Sequence, residues 1–163
     1  MPIAPRMGGA VARLEVQENQ LVQKGDLLIV IDHADYAAKA QQAEAELETA
    51  RAQASAAQAQ VTSAEANLRR AGIEADKAES DLARAEVLRR GEAIAPERLD
   101  AVKATGGVTR AAVAAAKAQV EGVRAQAQLA AARVKAAQAA LDLARLQLSY
   151  TKIWAPTDGM VSH

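Results

Sequence analysis

Residues 47–85 of this chain read LETARAQASAAQAQVTSAEANLRRAGIEADKAESDLARA. Apolar residues recur in this stretch at intervals that alternate between three and four. The positions are Leu47, Ala50, Ala54, Ala57, Val61, Ala64, Leu68, Ala71, Ala75, Ala78, Leu82 and Ala85. This spacing is typical of the seam of a coiled-coil helix, whereas the apolar face of a helix in a globular domain is broader. The stretch therefore predicts a long helix that packs along one narrow seam against another helix.

A second series of apolar or small residues follows with the same alternation. Its positions are Leu99, Val102, Gly106, Thr109, Val113, Ala116, Val120, Val123, Ala127, Ala130, Val134, Ala137, Leu141, Ala144 and Leu148. The residues between the two series, 89–96, read RRGEAIAP and are too few for anything except a reversal of the chain. The fold class predicted is mainly α with small β segments, built on a long antiparallel coiled-coil hairpin.

The composition agrees with an elongated protein that has a thin core. Hydrophobic residues make up 50% of the 163 residues, but phenylalanine is absent and only three residues are aromatic. The 20 basic residues equal the 20 acidic residues, so no overall field attracts nucleic acid, and we expect no nucleic-acid partner. Because cysteine is absent, disulfides and thiolate metal sites are excluded.

The ends of the two helices can be placed from capping residues. Asp32 is predicted as the N-cap of helix one, which runs over about 33–90, roughly 80 Å at 1.5 Å per residue. Gly91 is predicted as the residue that ends this helix in a left-handed conformation. The tip is then 91–95, and helix two runs over about 96–148, with Pro96 in its first turn and Ala95 as a weak N-cap.

Charged residues beside the two seams predict that the helices pair with each other. Helix one carries acidic residues at the flanking positions, and helix two carries basic ones. They are Glu65, Glu79 and Glu86 on helix one, and Lys103, Arg110, Lys117 and Arg124 on helix two. Two registers seven residues apart bring opposite charges together, and the sequence leaves both open.

Short β segments are predicted at both ends of the chain. Residues 10–16 and 27–31 have strand patterns, with turns between them, the second of which contains Gly25. After the hairpin, residues 149–154 alternate as a strand, and another strand begins at Met160. Because two or three short strands are not stable alone, the two groups are expected to pair. The domains expected are 1–32, the hairpin at 33–149, and 150–163, with Trp154 in the β core.

Two segments resemble a known family. Residues 22–32 read VQKGDLLIVID, and residues 148–161 read LSYTKIWAPTDGMV. Together with residues 9–11 and the hairpin between them, they resemble the periplasmic adaptor, or membrane fusion, proteins of the HlyD–EmrA–AcrA family, most closely the EmrA-like branch. In that family such segments form the two halves of a lipoyl-like β-sandwich, and the helical hairpin is inserted between them.

The resemblance implies a non-catalytic adaptor that links an inner-membrane transporter, of the major facilitator or ABC type, to a TolC-like outer-membrane channel. The expected setting is multidrug efflux or type I secretion in the periplasm of a Gram-negative bacterium. A homo-oligomer is implied for the assembled complex. The resemblance also implies that this chain is a fragment of a longer protein, whose inner-membrane anchor the chain lacks.

The family has a tip motif, Arg-x3-Leu-x6-Ser, that is implicated in docking to the channel. Arg84 and Leu88 match its first two positions, and Ala95 stands at the third and supplies no hydroxyl. The resemblance therefore implies a partner-binding site at the tip. Its candidate residues are Arg84, Leu88, Arg89, Arg90, Ile94 and Ala95.

Other classes of function fit the sequence less well. Asp32, His33 and Asp35 lie close in sequence, but one local group with a single histidine is better explained as helix capping than as a metal site. We predict no catalytic residues, no metal and no cofactor; a lipoyl-type lysine would need a hairpin apex that the helices replace. A coiled-coil scaffold or chaperone-like clamp is the alternative function, and a lipid-binding helix would need larger apolar residues over a wider face.

Overall fold

The computed structural model describes residues 7–161. Residues 1–6 and 162–163, which belong to the β segments expected at the two ends, lie outside the described residues. The chain divides into two compact units, one of Met1–Ala50 with Arg133–His163 and the other of Arg51–Ala132. The elements are β1 Val11–Leu14, β2 Leu21–Val22, β3 Leu27–Ile31, α1 Ala34–Arg90, α2 Pro96–Ser149, β4 Lys152–Trp154 and β5 Gly159–Met160.

In the described part of the first unit, the strands form two small antiparallel sheets. One has the strand order β1-β3-β4, and the other pairs β2 with β5. Strands that follow the helices thus pair with strands that precede them, with Val30 opposite Lys152 and Leu21 opposite Met160. The prediction that the two ends of the chain form one β structure, with the helical hairpin inserted between them, is confirmed.

Two sequence-based expectations about the strands are wrong. Leu21 and Val22 form strand β2 between the two predicted turns, where no strand was expected, because two residues are too few to show alternation. Trp154 was expected in the β core but is 50% exposed. Along β4 and the residue on either side of it, the inward positions are those of Thr151, Ile153 and Ala155, so the alternation of a strand turns Trp154 outward.

The turns and core of the first unit follow from a few residues. Gly25 has a φ of 95°, the left-handed conformation that its turn requires, and Asn19 supplies the positive φ of the preceding turn. The core of the sheets is a cluster of Val16, Val22, Leu28 and Ala155. The two β segments are therefore joined by apolar packing as well as by backbone hydrogen bonds.

Helix α1 begins beside the capping residue that the sequence indicates. The carboxylate of Asp32 accepts a hydrogen bond from the backbone N–H of Ala34 at 3.1 Å. This bond satisfies one of the donors left free at a helix start, and Asp35 lies in the acidic first turn. Asp32 thus caps the helix start as expected, but from one residue before the N-cap position, which His33 occupies because its carbonyl accepts the first helical hydrogen bond, from Ala37.

The two predicted seams are the inner faces of the helices. Every residue of both series, from Leu47 to Ala85 and from Leu99 to Leu148, is buried or half-buried. In the first unit, Leu47 packs in a cluster with Leu141, which is 2% exposed. The prediction of an antiparallel helical hairpin is confirmed.

The second unit has its own cluster at the same seam and an ion pair beside it. Val61 and Ala64 of α1 pack with Val120 and Val123 of α2, and Leu68 and Ala127 lie against them. Next to this cluster, Arg124 donates a hydrogen bond to Glu65. Of the two registers left open by the charges, this pair selects the one that joins Glu65 to Arg124.

Candidate functional site at the hairpin tip

The turn between the helices has a defined hydrogen-bonding pattern. The N–H of Ala93 donates to the carbonyl of Leu88 at 2.9 Å, and the N–H of Glu92 donates to the carbonyl of Arg89 at 3.0 Å. These two bonds form a Schellman motif, in which the residue after the helix cap adopts the left-handed conformation. That residue is Glu92, with a φ of 58°.

The prediction that Gly91 takes the left-handed position is therefore wrong by one residue. Gly91 donates its N–H to the carbonyl of Val87 at 3.2 Å and so extends the helical hydrogen bonding. The hydrogen bond of Ala93 then fixes Glu92, and not Gly91, as the left-handed residue. A side chain in this conformation is unfavourable by about 1–2 kcal/mol, so the turn carries a local strain at Glu92.

Replacing Glu92 with glycine is expected to raise the free energy of unfolding by about 1 kcal/mol, because glycine adopts the left-handed conformation without steric cost. Denaturant unfolding followed by circular dichroism measures this change. Gly91→Ala is the matched variant, since a Cβ there would lie 3.7 Å from the Leu88 carbonyl oxygen, an ordinary contact. It is expected to be neutral or stabilising. A clear loss of stability in Gly91→Ala would mean that Gly91, and not Glu92, is the left-handed residue.

Arg89 closes the turn and is half-buried. It takes the seam position that follows Ala85, and its guanidinium donates to the carbonyl of Ile94 at 3.3 Å. The seam thus continues by one position, to Arg89. Of the tip residues predicted to bind a partner, Arg89 is the one whose side chain donates a hydrogen bond within the turn.

Arg84 lies on the surface six residues before Arg90, the end of α1. Its guanidinium is 3.5 Å from the carboxylate of Asp81, and its side chain is 71% exposed. Exposed ion pairs of this kind contribute little to stability, about 0–1 kcal/mol, so the guanidinium can exchange Asp81 for another acceptor at small cost. Arginine is suited to such an exchange because its planar group binds carboxylates or carbonyls with two parallel hydrogen bonds.

Two apolar side chains lie beside Arg84 at helical spacing. Val87 is 65% exposed and Leu88 is 43% exposed, three and four residues after Arg84. Residues at these spacings are neighbours on one face of a helix. We call the exposed side chains of Arg84, Val87, Leu88 and Arg90 the tip surface. Val87 was missed by the sequence analysis, although its position outside the seam, three residues after Arg84, was a usable signal.

The remaining candidates lie at or beyond the end of α1. Arg90 is its last residue and is exposed, and Ile94 is half-buried in the turn. Ala95 precedes α2, is exposed, and accepts a backbone hydrogen bond from Arg98 at 3.1 Å. The structure thus brings all six predicted residues to one turn and the helix end beside it, within the second unit.

Within residues 7–161, no group of three His, Asp or Glu side chains is placed to hold a metal ion. Over the same residues, neither helix has a stretch long and apolar enough to cross a membrane. The chemistry that the tip surface offers is a cationic hydrogen-bond donor next to exposed aliphatic side chains. This combination suits recognition of another protein.

Several solved structures resemble this chain at low identity. A putative efflux transporter from Bacteroides eggerthii is 20% identical, and the match covers 95% of this chain and 30% of that one, with a TM-score of 0.48. The periplasmic adaptor protein EmrA is 12% identical, with coverage of 94% and 62% and a TM-score of 0.48. MacA from Actinobacillus actinomycetemcomitans is 28% identical, with coverage of 96% and 40% and a TM-score of 0.39. The chain thus spans less than two thirds of each of these proteins.

A comparison with protein families gives the decisive result. The family described as "RND MFP, barrel-sandwich hybrid domain" matches residues 1–163, the whole chain. No curated protein sequence matches the chain. Proteins of this family are periplasmic adaptors of efflux systems and are generally non-catalytic. The assignment from sequence is confirmed at the level of the family, and the chain belongs to the RND membrane fusion proteins, matching their barrel-sandwich hybrid domain.

Proposed function

We propose that this chain is the hairpin-bearing part of a periplasmic adaptor that links an inner-membrane transporter to a TolC-like outer-membrane channel. The longer protein is anchored in the inner membrane of a Gram-negative cell, and several copies surround the channel. Its role is mechanical: it holds the two membrane proteins in line for efflux or secretion and catalyses no reaction.

The tip surface is the part that docks to the channel. The observation that carries this proposal is the exposure of Arg84, Val87 and Leu88 on one helix face directly beside a turn of defined geometry. The Schellman bonds and the bond from Arg89 to Ile94 fix the turn, so a partner meets a preformed surface. Preformed surfaces lose less conformational entropy on binding than mobile ones.

Arg84→Asp in the full-length protein is expected to weaken binding to the channel roughly tenfold or more, because the substitution replaces the donor with a like charge beside Asp81. Binding of the purified adaptor to the purified channel measures this loss, and an efflux assay in cells measures its consequence. The helix content should stay unchanged, since removing an exposed ion pair costs at most about 1 kcal/mol.

Arg70→Asp is the matched control. Arg70 lies two heptads before Arg84 on the same line of α1, and it also pairs with an acidic residue of its own helix, Glu74, at 3.9 Å. Both substitutions reverse one exposed charge, but only Arg84 adjoins the tip. Equal binding by the Arg84→Asp and Arg70→Asp variants, both with a normal circular dichroism spectrum, would remove Arg84 from the docking surface.

A further inference from the structure

One stretch of α2 combines residues that favour a helix poorly. Residues 105–109 read TGGVT, in a helix that is otherwise rich in alanine. Glycine is a weak helix former because it loses the most backbone freedom, and threonine and valine lose side-chain freedom because they are β-branched. Neither helix has another run of five such residues. We call residues 105–109 the weak segment, and we expect α2 to lose its helical structure there more easily than elsewhere.

Nothing in the structure requires glycine at either position of the glycine pair, Gly106 and Gly107. Within residues 7–161, Gly25 is the only glycine with a left-handed φ, so the pair has an ordinary helical backbone. A Cβ added on Gly106 would lie 3.6 Å from Nη2 of Arg110, an ordinary contact, and one added on Gly107 would have nothing within 4 Å. Alanine would fit at both positions, so the pair weakens α2 without a steric reason.

Side chains around the glycine pair bind the helix backbone. The hydroxyl of Thr105 donates to the carbonyl of Ala101 at 3.0 Å, and the hydroxyl of Thr109 donates to the carbonyl of Gly106 at 3.2 Å. Nε of Arg110 donates to the same carbonyl of Gly106, also at 3.2 Å. Such bonds compete with the helical hydrogen bonds and tend to bend a helix. The Gly106 carbonyl therefore keeps hydrogen-bond donors even when the helix opens at this turn.

The part of α2 before the weak segment is thinly packed. Its seam residues, Leu99 and Val102, are only half-buried, and the next seam position is Gly106, which has no side chain. The two clusters at the seam, around Leu141 and Val61, contain no residue between 69 and 119. Little apolar burial therefore opposes the opening of this part of α2.

Helix α1 differs at the same level of the hairpin. Counted from the pair of Glu65 and Arg124 in an antiparallel arrangement, residues 96–107 lie opposite residues 82–93. The helical part of that range, 82–90, reads LARAEVLRR and consists almost wholly of strong helix formers. The end of a folded helix needs no new nucleus to stay helical, so α1 can persist where α2 opens.

The turn at the tip does not depend on this part of α2 either. The two Schellman bonds and the bond from Arg89 to Ile94 join only residues within 88–94. The tip surface lies on α1, directly before this turn. It would therefore keep its shape if residues 96–107 separated from α1.

We propose that residues 96–107 open as one unit, which unfolds and leaves the seam while α1, the tip turn and the rest of α2 keep their structure. The opening uncovers Leu82 and Ala85, of which Ala85 is 7% exposed in the closed hairpin. Ala85 lies three residues before Leu88, and residues at this spacing are neighbours on a helix. The uncovered apolar strip thus extends the tip surface, and the open state presents both to the channel.

Amide hydrogen exchange of the chain, resolved by residue, tests the opening. We expect nearly equal protection factors at residues 100–105, at least about tenfold lower than those at residues 112–118, with the step at the glycine pair. Simple fraying of the helix end would give protection that rises residue by residue from 100 onward. A gradual rise without a step at the pair overturns the proposal.

Gly107→Ala and Gly122→Ala are a matched pair of variants. Both glycines are exposed within α2, and a Cβ on either would have nothing within 4 Å. Gly107→Ala is expected to raise protection at 100–105 about fivefold, the factor by which alanine favours a helix over glycine. Gly122→Ala should leave these amides unchanged, because residue 122 stays helical in the closed and the open state. Equal effects of the two variants would mean that the hairpin unfolds as a whole, which overturns the proposal.

The use of the open state in docking rests on the proposed function and is measured with the full-length adaptor and the purified channel. Gly107→Ala is expected to weaken binding about fivefold, because it lowers the population of the open state by that factor. Gly122→Ala should bind as the parent protein does. Unchanged binding in Gly107→Ala overturns the role of the open state in docking. A parent adaptor that shows the exchange step but does not bind the channel counts against the proposed function alone.

Discussion

Leu141→Ala is expected to lower the free energy of unfolding by about 3 kcal/mol, the largest effect that a single apolar truncation should have in this hairpin. Leu141 is 2% exposed and packs in the first unit with Leu47, Ala43 and Ala144. Two of these three neighbours are alanines, which cannot extend into the space that the lost side chain leaves. The truncation therefore removes apolar burial and also leaves a cavity.

The matched control lies two residues further along the same helix. Leu143 is 57% exposed, so Leu143→Ala has the same chemistry and the same change in helix propensity without the cavity. Denaturant unfolding at low protein concentration, followed by circular dichroism, compares the two variants. If Leu141→Ala and Leu143→Ala lose the same free energy to within about 0.5 kcal/mol, the seam is not the source of stability at this level of the hairpin.

Gly9→Ala is expected to destabilise the first unit by about 1–3 kcal/mol, a typical range for a side chain forced into a filled space. A Cβ on Gly9 would lie 2.5 Å from Cγ2 of Ile31, which is closer than packed atoms can approach. Ile31 is 3% exposed, so its β-branched side chain cannot easily move aside. Fluorescence of Trp154, the single tryptophan, reports unfolding of this unit, since Trp154 lies in β4.

Gly107→Ala is the control for the glycine change. Gly107 lies within α2, and nothing is within 4 Å of the Cβ that alanine would add. Because glycine in a helix is less favourable than alanine by about 1 kcal/mol, this variant should be more stable than the parent chain. Wild-type stability in Gly9→Ala would mean that Ile31 adjusts at no cost and that glycine is not required there.

The hairpin could be predicted in detail because its determinants are local and periodic. All residues of both seams, from Leu47 to Ala85 and from Leu99 to Leu148, are buried or half-buried as their spacing indicates. Because a helix has 3.6 residues per turn, residues spaced alternately by three and four lie on one side of it, and over many turns they form a continuous contact with the partner helix. Over such a length, accidental agreement with the pattern is negligible. The link at 89–96 is too short for anything except a reversal of the chain, so the two helices must be antiparallel.

The register of the hairpin was determined only by the packed structure. Flanking charges such as Glu65, Lys117 and Arg124 repeat every heptad, so they agree equally well with two alignments seven residues apart. The observed pair of Glu65 with Arg124 accompanies the packing of Val61 and Ala64 with Val120 and Val123. Periodic signals do not distinguish shifts by one period, whereas side-chain volumes and the length of the turn do.

The candidate site was located from the sequence, but its internal organisation was not. The position of the tip follows from the end of the seam. Arg84 and Leu88 were chosen as candidates because they match a motif of the family that the chain resembles. The left-handed conformation at Glu92 and the bond from Arg89 to Ile94 arise from how the chain closes between two packed helices. Glycine is the usual residue in the left-handed conformation, which is why the sequence pointed to Gly91. The hydrogen bond from Ala93 to Leu88 places that conformation one residue later.

The amino-acid sequence thus determined the two long helices, their seams, their antiparallel pairing and the approximate place of the tip. These features depend on residues near one another in the chain or on a repeat that holds over many turns. Tertiary structure alone decided that Leu21 and Val22 pair with β5, that Trp154 faces outward, and that Glu92 takes the left-handed conformation after the first helix. Each of these depends on a single pairing or a single turn, where the local signal is too short to compete with the packing of distant segments.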